Sequence, residues 1–174
     1  MMKTAFQFAL AFIVSVGVVC AQQQSPSAQA TVTVAGKTLT VNYSAPSVRG
    51  REGHLFGPGG KISTDRNYPV WRAGANAATA FHTDADLEIA GLTVPAGNYT
   101  LFVLVEDPDA WQLIINKQTG QSGLSYDKAQ DLGRVKMTMS KPPALVEVLK
   151  YTLSADKLEL AWENHVASVP ITVK

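Results

Sequence analysis

Short runs of alternating polar and apolar residues, separated by turn residues, extend through most of the 174-residue chain. The first two runs, Thr31–Val34 and Lys37–Tyr43, flank Ala35-Gly36 and have the pattern of a β-hairpin with one buried face. Eight further runs are bounded by turn residues: Ala78–Thr83, Leu87–Ile89, Tyr99–Glu106, Trp111–Asn116, Arg134–Met139, Leu145–Leu153, Lys157–Trp162 and Val169–Val173. Many short strands at close spacing predict an all-β sandwich or barrel, and we favour an antiparallel two-sheet sandwich.

Three segments allow a finer prediction. Tyr99–Val105 has apolar residues at both odd and even positions, so it should be a central strand that is covered on both faces. Lys157–Trp162 alternates strictly and should have one face in water. A helical turn or two is expected at Ser125–Asp131, with Ser125 as the N-cap and Gly133 closing it, so the domain should contain at most one short helix.

The first 21 residues have the pattern of a secretory signal, with Lys3, an apolar run from Ala5 to Val19, and Val19-Cys20-Ala21 as a cleavage pattern. The alternative is a membrane anchor, but the run has about 15 residues and a spanning helix needs about 20. A lipoprotein anchor at Cys20 would need a small residue before it, which Val19 is not. We therefore expect an exported protein, periplasmic or extracellular, with no membrane span after cleavage.

Residues 22–29 contain mainly Gln, Ser, Pro and Ala, and we interpret them as a flexible tether before one domain at 30–174. The signal would remove one of the 15 Lys and Arg residues, so 14 would remain against 14 Asp and Glu. This balance does not favour nucleic acid or anionic lipid as a partner. The single Cys, Cys20, would also leave, which excludes disulfides and thiol chemistry from the mature domain.

The periodicity disappears between Ser44 and Pro69, where Pro and Gly recur too often for a long helix or strand. Loops of about 25 residues inside a compact domain are uncommon and are usually functional or disordered. Leu55, Phe56 and Ile62 give this loop apolar anchor points, so we favour an ordered loop over a floppy insertion.

The three histidines, His54, His82 and His165, have no second ligand-type residue at a metal-binding spacing. We therefore predict no metal site and no cofactor. The pattern favours His82 as an exposed strand residue, and His165 follows Glu163-Asn164 at a predicted hairpin turn. His54, in the long loop, is the histidine that we retain as a functional candidate.

Other catalytic motifs are missing from the sequence. It has no Gly-x-Ser-x-Gly nucleophile elbow, and Gly57–Gly60 lacks the Lys-Ser/Thr ending of a phosphate loop. The paired acids Asp84 and Asp86, and Asp107 and Asp109, occupy turns in which Asp is favoured for local hydrogen bonds. We interpret both pairs as structural.

A group of cationic, amide and aromatic residues remains: Arg49, Arg51, Tyr68, Trp71, Arg72 and Asn76. An arginine fork can hold a carboxylate or phosphate by two parallel hydrogen bonds, and nearby aromatic faces suit a planar group. The alternative is structural, because Arg72 and Asn76 could equally bridge loop carbonyls and strand ends.

Part of this group lies in a stretch that resembles the DUF2911 family of secreted bacterial β-rich domains. The resemblance is carried by Tyr43–Arg51 (YSAPSVRGR), Tyr68–Ala80 (YPVWRAGANAATA) and Val94–Leu101 (VPAGNYTL). Family proteins tend to have a compact Gly-Arg-x-x-Phe-Gly turn, and Gly50–Gly57 is two residues longer. Ser122 stands where a Trp is common, so we expect no site that depends on that Trp.

The resemblance implies secretion and a β-sandwich and transfers no catalytic residue, since the family has no established activity. We expect a non-catalytic binding or envelope-associated module for a small polar or anionic ligand. Its candidate ligand-binding residues are Arg51, His54, Trp71, Arg72 and Asn76. The alternative is a hydrolase that uses His54 or a carboxylate near Arg72.

Overall fold

Two antiparallel sheets pack face to face in the computed structural model, which describes residues 24–174. The strands are β1 (Ser27–Val34), β2 (Lys37–Ser44), β3 (Val70–Trp71), β4 (Thr79–Thr83), β5 (Leu87–Ile89), β6 (Leu92–Val94), β7 (Gly97–Leu104), β8 (Gln112–Asn116), β9 (Asp131–Lys136), β10 (Thr138–Ser140), β11 (Val146–Leu153), β12 (Lys157–Glu163) and β13 (His165–Val173). The first sheet has the order β1-β2-β4-β7-β8-β9, with β3 beside β7. The second has the order β11-β12-β13-β5-β6, with β10 beside β13. With 52% strand and 4% helix, the predicted all-β sandwich is confirmed.

The predicted signal, residues 1–21, lies outside the described residues, so its cleavage stays a prediction. Within residues 24–174 there is no helix with the length and apolar character needed to cross a membrane. The tether prediction is wrong for its last three residues, because β1 begins at Ser27 rather than Thr31. Ala28 and Ala30 pair with Tyr43 and Val41 of β2 and pack against the core, so pairing overrides the polar composition.

The β1–β2 hairpin is confirmed and closes through Ala35 and Gly36, with φ angles of 50° and 77°. Two consecutive positive φ angles are typical of the type I′ turn, whose twist matches that of the paired strands. The same register places Leu39 and Val41 in the core, where they are 1% and 0% exposed.

The predicted central strand is also confirmed, since β7 lies between β4 and β8 and residues 99–103 are all buried. Its outward side chain Phe102 packs with Val70, Ile114 and Tyr126 in a small apolar cluster on the outside of the sheet. In β12, Leu158 and Leu160 are buried and Lys157 is exposed, as the alternating pattern predicts.

Residues 125–131 differ from the prediction. They form one 3-10 turn, Lys128–Gln130, whose cap is Asp127 rather than Ser125. The Asp127 carboxylate accepts a hydrogen bond from the Ala129 amide at 2.9 Å. Gly133 lies inside β9, where an added Cβ would come within 2.7 Å of the Leu92 side chain, so it permits close packing rather than closing a helix.

The remaining differences are short or divided strands. β3 and β6 have two and three residues, too few to show a periodicity in the sequence. The predicted strand Arg134–Met139 is divided between β9 and β10, which belong to different sheets. At the division, the Met137 amide donates to the Trp111 carbonyl at 2.9 Å.

The long loop is ordered, as its apolar anchors predict. Leu55 and Ile62 are 0% and 7% exposed. At its start, the Val48 amide donates to the Glu147 carbonyl at 2.8 Å, and the Leu149 amide donates to the Pro46 carbonyl at 2.9 Å. The chain that leaves β2 in the first sheet therefore pairs with β11 in the second, which ties the two sheets together.

The middle of the loop inserts Phe56 into a group that we call the aromatic cluster: Phe56, Trp71, Trp111, Trp162 and His165. The ring of Phe56 lies 4.8 to 5.7 Å from the other four ring centroids. Edge and tilted contacts of this kind stabilise aromatic pairs beyond their burial. The aromatic cluster therefore holds the loop on one end of the sandwich.

Candidate functional site

The long loop and the segment after β3 enclose a cavity of about 660 Å³. Its charged lining residues are Arg49, Arg51, Lys61, Asp65 and Arg72, and we call it the cationic cavity. Ser25, Ser47, Trp71, Asn76 and Trp162 also contribute to its wall. Within the described part of the chain, four cationic side chains thus share one cavity with a single carboxylate.

Arg72 combines the two roles that the sequence left open. Its Nη2 donates to the Asp65 carboxylate at 2.8 Å, and its Nη1 donates to the Asn76 carbonyl at 3.2 Å. The side chains of Arg72 and Asp65 are 14% and 22% exposed, so the ion pair is mostly shielded from water. Arg72 therefore fixes the loop while it lines the cavity.

Arg51 is held in a similar way, with backbone carbonyls as its partners. Its Nε donates to the Val48 carbonyl at 2.9 Å and its Nη2 donates to the Ser47 carbonyl at 2.8 Å. A carbonyl accepts a hydrogen bond without cancelling the charge of the donor. The guanidinium of Arg51 is therefore fixed in position and keeps its positive charge.

Asn76 and Arg49 contribute through unusual backbone geometry. Asn76 has a φ of 57° and Arg49 a φ of 52°, in the left-handed region that non-glycine residues seldom occupy. Here both residues line the cavity, although the same conformation also occurs in ordinary turns such as Ala35. The Asn76 side chain donates to the Ser25 carbonyl at 3.2 Å, so the residues before β1 also belong to the cavity wall.

Trp71 lines the cavity but is only 1% exposed, so it offers no open ring face for stacking against a ligand. It stacks instead on Trp162, with ring centroids 5.7 Å apart and planes inclined by 17°. The prediction that the Trp71 ring offers a face to a ligand is therefore wrong, because the β3–β7 pairing places the residue in the buried aromatic cluster.

His54 does not join the other predicted residues, because it is not among those that line the cavity. It is exposed, and its backbone closes the loop: its amide donates to the Arg51 carbonyl at 2.9 Å and its carbonyl accepts from the Lys61 amide at 2.8 Å. The structure therefore brings together Arg51, Arg72 and Asn76 and leaves His54 outside.

Three lining residues, Lys61, Asp65 and Trp162, were not predicted from the sequence. Lys61 and Asp65 are ordinary polar positions of an irregular loop, and Trp162 has the pattern of a core residue in an alternating strand. All three reach the cavity through tertiary contacts between distant segments. The hydrolase alternative invoked an unspecified carboxylate near Arg72, and Asp65 occupies that position.

The turn carboxylates have the structural roles that were predicted. Asp84 accepts from the Thr38 amide at 3.1 Å and Asp86 accepts from the Ala96 amide at 2.8 Å. His82 bridges two of these turns, with Nδ1 2.9 Å from Asn98 Oδ1 and Nε2 2.9 Å from Asp84 Oδ1. The hydrogen bond with Asp84 raises the pKa of His82 above its usual value.

In the part of the chain that the structure describes, no group of three or more His, Cys, Asp or Glu side chains could hold a metal ion. The cationic cavity has one carboxylate against four cations, a set that suits an anion rather than a metal.

A family model described as a protein of unknown function, DUF2911, matches residues 25–171. The chain belongs to the DUF2911 family. Neither the comparison with curated proteins nor the comparison with solved structures gives a match. The resemblance drawn from the sequence is confirmed, and the cavity must be interpreted from its own geometry.

In this DUF2911 domain two glycines make room for Arg72 and its neighbours. A Cβ on Gly74 would come within 3.0 Å of the Thr79 hydroxyl and 3.1 Å of the Ser44 carbonyl. A Cβ on Gly123 would come within 2.5 Å of the Arg72 Cδ and 2.7 Å of the Asn76 carbonyl. A side chain at Gly123 would therefore displace Arg72 or the Asn76 backbone, whereas one at Gly74 would fit only with a small shift of its neighbours.

Proposed function

We propose that the cationic cavity of this DUF2911 domain is a non-catalytic binding site that holds a small anionic ligand. The observation that carries the proposal is charge: Arg49, Arg51, Lys61 and Arg72 line one cavity, and Asp65 is its one carboxylate among the described residues. Across the whole chain the totals are 15 basic against 14 acidic residues, so this excess is local.

The way in which the cations are held supports binding. Backbone carbonyls fix Arg51, so its orientation does not have to be ordered when a ligand arrives. Such preorganisation favours binding, because ordering a long side chain costs about 0.5–1.5 kcal/mol. Within residues 24–174, the side chains of Arg49 and Lys61 make no hydrogen bond or ion pair and remain available to a ligand.

The hydrolase alternative has less support in this cavity. His54, its expected base, does not line the cavity, and Asp65, the carboxylate near Arg72, is already ion-paired at 2.8 Å. That carboxylate accepts the hydrogen bond by which Arg72 fixes the loop. For the cationic cavity we therefore favour ligand binding over hydrolysis.

The experiment is a titration of the purified protein with inorganic phosphate, followed by calorimetry and by thermal melting. A ligand present at ten times its Kd stabilises the folded state by about 1.4 kcal/mol. We expect phosphate to raise the Tm of the parent, more strongly at low than at high ionic strength. Acetate, with a single charge, should bind more weakly.

The decisive variant is Arg49→Ala combined with Lys61→Ala, because both side chains are exposed at the cavity and their loss should leave the fold intact. We expect it to lose most phosphate binding at an unchanged Tm. The matched control is Lys117→Ala combined with Lys150→Ala, which removes two exposed charges from other strand regions. Equal phosphate binding by the two double variants contradicts the proposal.

We also propose that the domain is exported, to the periplasm or the extracellular space. The pattern of residues 1–21 supports this, as does a family match that begins only at residue 25. Intact-mass measurement of the protein from its native envelope should give a chain that starts at Gln22. A mature form that retains Cys20 with attached lipid would overturn the predicted cleavage.

A further inference from the structure

A second cavity, of about 430 Å³, opens where the β12–β13 turn meets the β7–β8 loop and the segment after β10. We call it the imidazole cavity, because His165 lies in its wall together with Asp109, Lys141 and Asn164. It shares no lining residue with the cationic cavity, although the aromatic cluster contributes to the walls of both. The imidazole cavity is therefore a separate site, and the two cavities can be tested by different substitutions.

The backbone of Glu163 has a left-handed conformation that glutamate seldom adopts. Its φ is 55°, a value at which Gly or Asn is preferred, yet the residue is a glutamate that is only 2% exposed. One carboxylate oxygen, Oε1, accepts a hydrogen bond from the Gly53 amide at 2.7 Å. The other, Oε2, lies 3.4 Å from Nδ1 of His165. Strain of this kind persists where the surrounding structure holds the residue in place.

His165 is held on three sides. Its ring stacks on Trp111 with centroids 5.1 Å apart and planes inclined by 14°, and Phe56 lies 4.8 Å away. Nδ1 is buried and makes no hydrogen bond within residues 24–174, although the Glu163 carboxylate lies 3.4 Å away. The side chain remains 22% exposed, which leaves part of the ring open to the cavity.

The protonation state of this ring favours proton acceptance. Burial lowers the pKa of His165, and Glu163 and Asp109 oppose that effect while Lys141 adds to it. A pKa below the usual 6.5 leaves the imidazole neutral at pH 7. A neutral imidazole can accept a proton, and the Glu163 carboxylate, 3.4 Å from Nδ1, lies on the side where a general base has its orienting group, at a distance that must shorten for a hydrogen bond to form.

We propose that the imidazole cavity is a hydrolytic site for a small ester, with His165 as the proton acceptor and Glu163 as its positioning residue. One O–H bond of a water molecule breaks, its proton passes to His165, and the water oxygen bonds to the ester carbonyl carbon while the C=O π electrons move to the carbonyl oxygen. Lys141, which lines the cavity, supplies positive charge near that oxyanion. The C=O double bond then re-forms as the bond to the leaving oxygen breaks, and His165 gives its proton to the leaving oxygen, so that a carboxylic acid and an alcohol are the products.

The other two histidines provide matched controls. His54 is exposed in the long loop, outside the residues that line the imidazole cavity. His82 has both ring nitrogens within 2.9 Å of Asn98 or Asp84. His82 also contacts a carboxylate, but with both ring nitrogens occupied it has none open to a substrate, and it lies outside the imidazole cavity.

The experiment measures hydrolysis of p-nitrophenyl acetate by the purified protein at pH 7, compared with His165→Gln, His54→Gln and His82→Gln. We expect His165→Gln to lower the protein-dependent rate at least tenfold and the two controls to stay within twofold. Melting curves show whether each variant is folded. If His165→Gln does not fold, the pH profile of the parent decides, because a rate that depends on His165 must have its midpoint below pH 6.5.

Glu163→Gln tests the positioning residue, since glutamine keeps an acceptor for the Gly53 amide and removes the charge. The carboxylate raises the pKa of His165, so its loss should move the midpoint of the pH profile to lower pH. The rate at pH 7 should fall several-fold, because the ring becomes a weaker base. Glu147→Gln, at an exposed carboxylate that accepts from the Arg49 amide, is the control. An unchanged rate in His165→Gln, or an unmoved midpoint in Glu163→Gln, overturns the proposal.

Discussion

Two arginine–aspartate pairs serve this domain in different ways. Arg72 and Asp65 are joined at 2.8 Å in irregular backbone and line the cationic cavity. Arg134 and Asp131 are joined at 2.9 Å where β9 begins, on the sheet itself. Both pairs are largely shielded from water, so the chemistry of the pair alone does not tell a site from a scaffold. The difference lies in the remaining partners.

The partners of Arg134 close on one another. Arg134 donates to both Asp131 and the Tyr126 hydroxyl, and that hydroxyl donates to Asp131 at 2.8 Å. The second oxygen of Asp131 accepts from Asn116, which is fully buried, at 2.9 Å. Burial raises the pKa of Tyr126 to about 12, so the hydroxyl stays protonated and keeps donating. The hydrogen bonds of these four side chains therefore form a closed network, in which each side chain has a partner among the others.

Arg72 instead lies in a cavity that contains further positive charge. Asp65 cancels one cation, but Arg49, Arg51 and Lys61 line the same cavity and have no carboxylate partner among residues 24–174. A closed network should contribute mainly to stability, and an open one should contribute to both stability and binding. Single substitutions in each network can separate these two contributions.

The largest effect is expected for Asp131→Ala. The substitution removes the carboxylate partner of Arg134 and one of the two acceptors of the buried Asn116 amide, which should cost about 3–4 kcal/mol. Urea titration of parent and variant measures the loss. Asp107→Ala is the control, since this exposed carboxylate only accepts from the Asp109 amide and its removal should change little. Similar losses in the two variants would contradict the closed network.

Arg72→Ala should have the next largest effect, about 2–3 kcal/mol, because it leaves the shielded Asp65 carboxylate and the Asn76 carbonyl without a donor. Arg72→Lys should destabilise nearly as much, since lysine keeps the charge and loses the planar fork that reaches both partners. Thermal melts within a degree of the parent for both variants would show that Arg72 serves ligand binding alone.

Gly123→Ala should destabilise by about 1–3 kcal/mol, because the added methyl group overlaps the Arg72 side chain and the Asn76 carbonyl. Gly120→Ala is the control for glycine loss without a clash, as an added Cβ there meets no atom within 4 Å. Gly120 has a φ of 75°, so its substitution carries only backbone strain. A smaller loss at Gly123 than at Gly120 would mean that the segment around Arg72 can shift freely.

The comparison also shows where sequence reasoning succeeds. Alternation and turn chemistry depend on neighbouring residues, so they predicted the β1–β2 hairpin, the central strand β7 and the alternating strand β12. The same local reasoning failed where tertiary packing decides. Ser27–Gln29 pair with β2 despite a polar composition. Gly133 pairs with Ile115 inside β9, at a position where the Leu92 side chain leaves no room for a Cβ.

The candidate site was predictable only in part. Arg51, Arg72 and Asn76 stand in segments with unusual composition, and the fold brings them to one cavity. Lys61 and Asp65 carry no distinguishing local pattern, because their place depends on how the long loop closes. The sequence around His165 and Glu163 has the pattern of an ordinary turn, since neither burial nor a left-handed backbone can be seen in a sequence.

The smallest effect is expected at His82, which forms an exposed pair with Asp84. Because this pair titrates, pH can switch it on and off, which is not possible for the two arginine pairs. The pKa of His82 is raised by its hydrogen bond with Asp84, so its contribution is fully present below about pH 6.5 and is lost as pH rises through the raised value. The pKa of Asp84 is lowered by the same bond, so its contribution is present above about pH 4 and is lost as pH falls through the lowered value.

The His82–Asp84 pair should accordingly stabilise the fold most between about pH 4 and pH 6.5. Its side chains are 41% and 46% exposed, so solvent screens the attraction and the effect should be a change in Tm of only about a degree or two. The measurement is the Tm difference between the parent and His82→Gln from pH 4 to pH 9, with His54→Gln as the control. The difference should shrink towards pH 9 for His82, and the His54 variant shows how much of any change comes from losing a histidine that has no part in this pair. A His82 difference that grows with pH would mean that the neutral ring is the stabilising form, and the site would then resemble the closed network around Arg134 rather than an exposed ion pair.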